Sequence, residues 1–138
     1  MQKSTEELLN ILKHSNLKTY LSENHREMAE NPICDYLTAV LCEKKLQKSE
    51  VIKKSNIQLN YAYQIFSSLK IPSRDKLISL CFGMDLCLDD TQTLLKYTGY
   101  AALYPRSGRD SVIITALEKH ETVINCNIML DELNFSPL

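Results

Sequence analysis

An all-α fold is expected of this 138-residue chain, and its composition and patterning both point there. Glycine (three residues) and proline (four) are scarce, which leaves little turn chemistry for a sandwich or a barrel. Leucine is by far the commonest residue, and lysine, isoleucine and glutamate are frequent. Apolar residues recur at three- and four-residue intervals, and no long run alternates between apolar and polar. A chain of this length is one domain by size and can bury a core.

The elements follow in order. Ser4-Thr5-Glu6-Glu7 is a helix start, with Leu8, Leu9, Ile11 and Leu12 behind it on an apolar side. A second short helix is expected from Leu17 to Met28. Asn31-Pro32 restarts the chain, because proline suits the first turn of a helix. Ile33, Tyr36, Leu37, Val40 and Leu41 then repeat at i, i+3, i+4, i+7 and i+8, a core stripe. Lys44-Lys45 closes that helix with cations where its dipole favours them. Gln47 to Asn56 gives two turns of helix, ended by Asn56, a residue that tolerates the left-handed conformation of a C-cap.

The next stretch, Leu59-Asn60-Tyr61-Ala62-Tyr63-Gln64-Ile65-Phe66, carries aromatics and amides but no charge. Ala62, Ile65, Phe66 and Leu69 fall at i, i+3, i+4 and i+7, one side of a helix. Asn60, Gln64 and Ser67 then point the other way, flanked by Tyr61 and Tyr63. The stretch is expected to be a helix with an apolar back and an uncharged front rich in hydrogen-bonding groups.

Several function classes are excluded. No stretch approaches the roughly 18 apolar residues of a membrane span, so no membrane partner is expected. The N-terminal MQKSTEELL has no secretory apolar core, so the protein is expected to stay in the cytoplasm. Cys34, Cys42, Cys81, Cys87 and Cys126 include no CxxC pair, and His14, His25 and His120 are scattered. Reduced, buried or half-buried thiols are expected, with no metal and no cofactor. There is no glycine-rich phosphate loop, no GxSxG, no HExxH and no cysteine beside a helpful histidine, so the chain is not read as an enzyme. Asp89-Asp90 and Asp110 sit in the first turns of expected helices, where acids favour the dipole.

Net charge is −1, yet it is unevenly distributed. Residues 1–42 carry four basic and six acidic side chains, residues 43–76 eight and three, and residues 77–138 four and eight. One basic segment therefore lies between two acidic ones.

Two short helices joined by a tight turn, with a basic rim and an amide front, form a helix-turn-helix pattern. From Ile33 to about Tyr100 the chain resembles the five-helix DNA-binding domain of the Cro/lambda-repressor-like regulators, the XRE family. Val51 stands at the family's apolar position in the second helix, Asn56 at its turn glycine, Ile57 at the following aliphatic and Ile65 late in the recognition helix. Lys70-Ile71-Pro72-Ser73 matches the entry to the fourth helix, Leu77, Leu80, Cys81 and Leu86 continue the pattern, and Leu88-Asp89-Asp90 opens the fifth. Ile52 departs from the family's alanine and Ser68 from its glycine, which bears on the angle between helices.

The resemblance implies double-stranded DNA as partner, with the helix at about 58–68 in the major groove. Gln58, Asn60 and Gln64 would then pair with bases, and Tyr61 and Tyr63 would reach a phosphate or a thymine methyl. Lys48, Ser49, Lys70, Ser73 and Arg74, at helix starts or just before them, would meet phosphates. The plainer alternatives stand beside these roles: Tyr61 and Tyr63 packed on the next helix, Asn60 and Gln64 as surface amides. Lys53 and Lys54 read as solvated. The family also implies a homodimer on two half-sites.

Shifting the chain by 35 positions aligns Arg74-Asp75-Lys76-Leu77-Ile78 with Arg109-Asp110-Ser111-Val112-Ile113. Leu88 then faces Val123, Leu94-Leu95 faces Met129-Leu130, Gly99-Tyr100 faces Asn134-Phe135, and Leu103 faces Leu138. Such self-similarity points to stacked helical hairpins. The expected organisation is an N-terminal helical extension (1–31), the lambda-repressor-like domain (32–103) and a C-terminal helical hairpin (104–138). That hairpin is expected to cover the N-terminal helices or the same hairpin of a second chain. The leading expectation is a transcriptional regulator whose acidic flanking helices serve dimerisation or a protein partner. The alternative is a helical interaction module on the same fold: an antitoxin, an adaptor or a phage-type inhibitor.

Overall fold

The computed structural model describes residues 4–13 and 32–138; the helix expected from Leu17 to Met28 lies outside them. Among the described residues there are eight helices and no strand: α1 (Thr5–Lys13), α2 (Pro32–Lys44), α3 (Lys48–Lys54), α4 (Leu59–Phe66), α5 (Arg74–Gly83), α6 (Leu88–Tyr97), α7 (Gly108–Glu118) and α8 (Val123–Glu132). None is long and apolar enough to cross a membrane.

Residues 1–30 form one unit, to which α1 belongs. The Ser4 hydroxyl accepts a hydrogen bond from the Glu7 N–H (3.1 Å), and Glu6 and Glu7 occupy its first turn, so an N-cap and two acids start this helix.

Residues 31–138 form the second unit, built around α5. Every residue of α5 from Leu77 to Gly83 is buried, so this helix has no solvent face and sits at the centre. α3, α6 and α8 pack on it, while α2 packs on α4 and α7 pairs with both α6 and α8. Ile33, Leu37, Val40 and Leu41 bury the expected stripe of α2, and the Tyr36 ring meets that of Tyr97 at 5.5 Å. The junction at 103/104 is thus internal to one unit, and the C-terminal hairpin buries Ile113, Ala116, Leu117, Val123 and Leu130 in the same core as α5 and α6.

The 35-residue similarity is a repeated structural unit. Arg74 donates through Nε to the Ala101 carbonyl and through Nη2 to the Ala102 carbonyl; Arg109 donates to the carbonyls of Ser136 and Pro137. Gln92 accepts from the Leu103 N–H, and Asn127 accepts from the Leu138 N–H. Left-handed residues recur in register: Asp85 (φ 53°) with His120 (φ 53°), and Gly99 (φ 85°) with Asn134 (φ 64°).

Between the copies the contacts cross. Arg74 bonds Asp110 while Arg109 bonds Asp75, and His120 meets its own counterpart, Asp85, at 3.2 Å. In a stack each arginine would reach the same way along the chain. Crossed pairs, with self-equivalent residues meeting each other, mark a two-fold relation. The expectation of stacked hairpins is corrected accordingly: the second hairpin closes a pseudo-two-fold pair with the first, and the surface it covers lies within the chain.

Candidate nucleic-acid interface

The α3–α4 pair is set by its turn. Ser55 is fully buried and its hydroxyl donates to the Val51 carbonyl (2.6 Å), closing α3. Asn56 adopts φ 56°, the left-handed conformation expected there, and Ile57 turns into the core. Gly83 lets α5 approach α3 closely. A Cβ at that position would lie 2.6 Å from the Val51 carbonyl and 2.0 Å from the Ser55 hydroxyl.

α4 buries Ala62, Ile65 and Phe66 as its apolar back. Leu69 does not join them. The chain leaves the helix through Ser68 at φ 65°, and Leu69 is 72% exposed. The outward arc of α4 and its cap presents Gln58, Leu59, Asn60, Tyr63 and Ser67, with Gln64 half-buried at the edge. Tyr61 is partly buried against the core, which is the packing alternative. Tyr63 is 41% exposed and faces solvent. Leu59, absent from the expected set, is 55% exposed on the same arc. The signal for it was its spacing, four positions before Tyr63 and three before the buried Ala62.

The cations separate into two groups. Lys44, Lys45, Lys48, Lys53, Lys54 and Lys70 are exposed. Among the described residues none of them forms an ion pair. Lys48 Nζ lies 5.3 Å from the centroid of the Phe66 ring, which holds its stem beside α4. Ser49 is exposed in the first turn of α3.

Arg74 and Ser73 are engaged differently from the phosphate role expected of them. Ser73 caps α5, accepting from the Lys76 N–H (3.3 Å). Arg74 uses Nε, Nη1 and Nη2 on the Ala101 and Ala102 carbonyls and on both carboxylate oxygens of Asp110 (3.2 and 2.9 Å). A guanidinium so occupied holds the hairpins together.

Asp110 is correspondingly more than a helix-dipole acid. It is buried, and burial alone raises its pKa. The hydrogen bonds from Arg74 and from the Tyr104 N–H, with the charges of Arg74 and Arg109, outweigh that and bring it below the ordinary carboxylate value. Burial pushes the Cys81 thiol up to about 12 and the Cys126 thiol to about 11, so both are inert packing groups. Cys42 and Cys87 are exposed, contrary to the expectation of buried or half-buried thiols throughout.

All three hairpins turn through a left-handed residue, Asn56, Asp85 or His120, so the turn alone does not single out α3–α4. The outer faces do. α6 exposes Asp89 and Asp90, and α8 exposes Asp131 and Glu132, whereas α4 carries no acid. Of the three, α4 alone suits a polyanion. No family model, no curated protein and no solved structure matches the chain.

Proposed function

We propose that the protein is a sequence-specific DNA-binding transcriptional regulator of the lambda-repressor-like, XRE kind, acting in the cytoplasm as a homodimer. The observation that supports this most is the outer face of α4, which carries no charge, with Lys48 held beside it over the Phe66 ring and the exposed Lys70 just past its end. Phosphates and bases call for different chemistry, cations for the former and amide or apolar groups for the latter. Here Lys44, Lys45, Lys48 and Lys70, with Ser49, serve the backbone, while Lys53 and Lys54 line the side of α3 that faces Asp85, His120 and Glu121. Gln58, Asn60, Tyr63 and Gln64 serve the base edges. The test is selection of binders from a random duplex library by the full chain at low salt. Retention of a recurring sequence supports the proposal, and absence of retention overturns it.

A second reading rests on a separate observation. Leu69 and Ile71 are 72% and 60% exposed just beyond α4, and Leu59 and Tyr63 are exposed on α4 itself. A row of large apolar side chains also suits a protein partner, as in an antitoxin, adaptor or phage-type inhibitor. Pull-down with Leu69→Ser and Ile71→Ser variants separates the two: loss of a protein partner with DNA binding intact assigns these residues to it.

A further inference from the structure

The outer face of α4 carries two side-chain rows. Asn60 and Gln64, at i and i+4, form an amide row; Leu59 and Tyr63, also at i and i+4, form an apolar row beside it. From Gln58 through Leu69 there is no charged residue. Lys54 lies back in the last turn of α3. Lys70 comes after the chain has turned away at Ser68, φ 65°.

The major groove assigns a partner to each of these chemistries and to those that are missing. Guanine is read by a bidentate arginine or lysine on O6 and N7, and cytosine by an aspartate or glutamate accepting from N4; α4 has neither. Adenine offers N6 and N7 to a bidentate amide, and thymine offers its C5 methyl to an apolar side chain. Those two edges lie side by side on one A·T pair, as the amide and apolar rows lie side by side on α4. Leu59 is half exposed in the free protein and makes no capping contribution there, so contact with a methyl is the gain available to it.

We infer that α4 reads A·T pairs exclusively, with Asn60 and Gln64 on adenine edges and Leu59 and Tyr63 on thymine methyl groups. The inference rests on the DNA-binding reading above and names its substrate class: duplexes whose bases under α4 are A·T. Affinity comes from the lysine rim and discrimination from groups that bear no charge.

The experiment uses the full chain and the recurring duplex from a random-library selection. Each thymine of the core is then replaced by deoxyuridine, which removes the methyl and keeps every hydrogen bond. The expected result is a recurring core free of G·C pairs, with affinity falling about threefold to fourfold at one or two deoxyuridine positions, the worth of one buried methyl. Placing a G·C pair under Asn60 or Gln64 should weaken binding roughly 5- to 150-fold. Leu59→Ala, with its helical content checked by circular dichroism, should abolish one deoxyuridine effect and leave the adenine dependence intact. A G·C pair in the recurring core, or affinity indifferent to every deoxyuridine, overturns the inference and leaves the DNA-binding reading standing. No retained duplex at all overturns both.

Discussion

Arg74 grips Asp110 with two hydrogen bonds, from Nη1 to Oδ1 at 3.2 Å and from Nη2 to Oδ2 at 2.9 Å. The same two residue types recur 35 positions apart and pair crosswise, Arg109 with Asp75 at 2.9 and 3.0 Å. The geometry is shared but the surroundings are not. The Asp110 side chain is 10% exposed and that of Asp75 39%.

The two arginines should therefore differ in worth. Arg74→Ala leaves a buried carboxylate without its cation and should cost about 3–4 kcal/mol, the lower part of the range for broken buried pairs. Arg109→Ala leaves a carboxylate that water reaches, and should cost about 1 kcal/mol. Urea midpoints at an unchanged m-value measure both. Equal losses would contradict the burial argument. A large fall in DNA affinity for a folded Arg74→Ala protein would return this residue to the phosphate set.

Acid should act through the same carboxylate. Asp110 titrates lower in the folded chain than in the unfolded one. Its stabilisation is therefore complete above the unfolded value, about 3.9, and is lost as pH falls through the folded value. Wild type and Asp110→Asn, compared by denaturant midpoint, should differ most near neutrality and converge below about pH 4. A gap that holds constant into strong acid would show that Asp110 is not the titrating group.

Gly83→Ala tests the approach of α3 to α5. In an open helix this change gains up to about 1 kcal/mol. Here the new methyl meets a backbone carbonyl, Val51 O, at 2.6 Å, so the sign should reverse. A loss of about 1–3 kcal/mol is expected from overpacking. A raised melting temperature would mean that α3 shifts freely on α5.

Salt dependence tests the lysine rim. With roughly four to six lysines on phosphates, log affinity should fall with log salt at a slope of about −4 to −5. Replacing Lys48 or Lys70 by Ala should lower that slope by about 1 and weaken all sequences alike. A flat response would leave no phosphate contacts to assign.

Much of this arrangement was legible because it is local. The stripe of α2, the two turns of α3, the left-handed Asn56 and the back of α4 all depend on residues within one or two helical turns. The repeat was visible too, since Arg-Asp, one polar residue and two apolar residues occur twice in that order. What failed was long-range. Arg74 resembled a phosphate ligand until the fold brought Asp110 to it across 36 positions. Leu69 matched the helical period but lay one residue past the left-handed Ser68, where period ceases to dictate facing. The crossed pairing of the hairpins had no sequence signature either: two copies of one pattern are compatible with stacking and with a two-fold, and only the contacts between the folded copies decide.

The base-reading role of α4 is tested most directly by Gln64→Ala, measured by equilibrium binding to the selected duplex and to a scrambled duplex of the same composition. Loss of one bidentate amide should weaken the selected duplex by about 1–3 kcal/mol and leave the scrambled one unchanged. Equal weakening of both, or none on either, would contradict base reading by this helix.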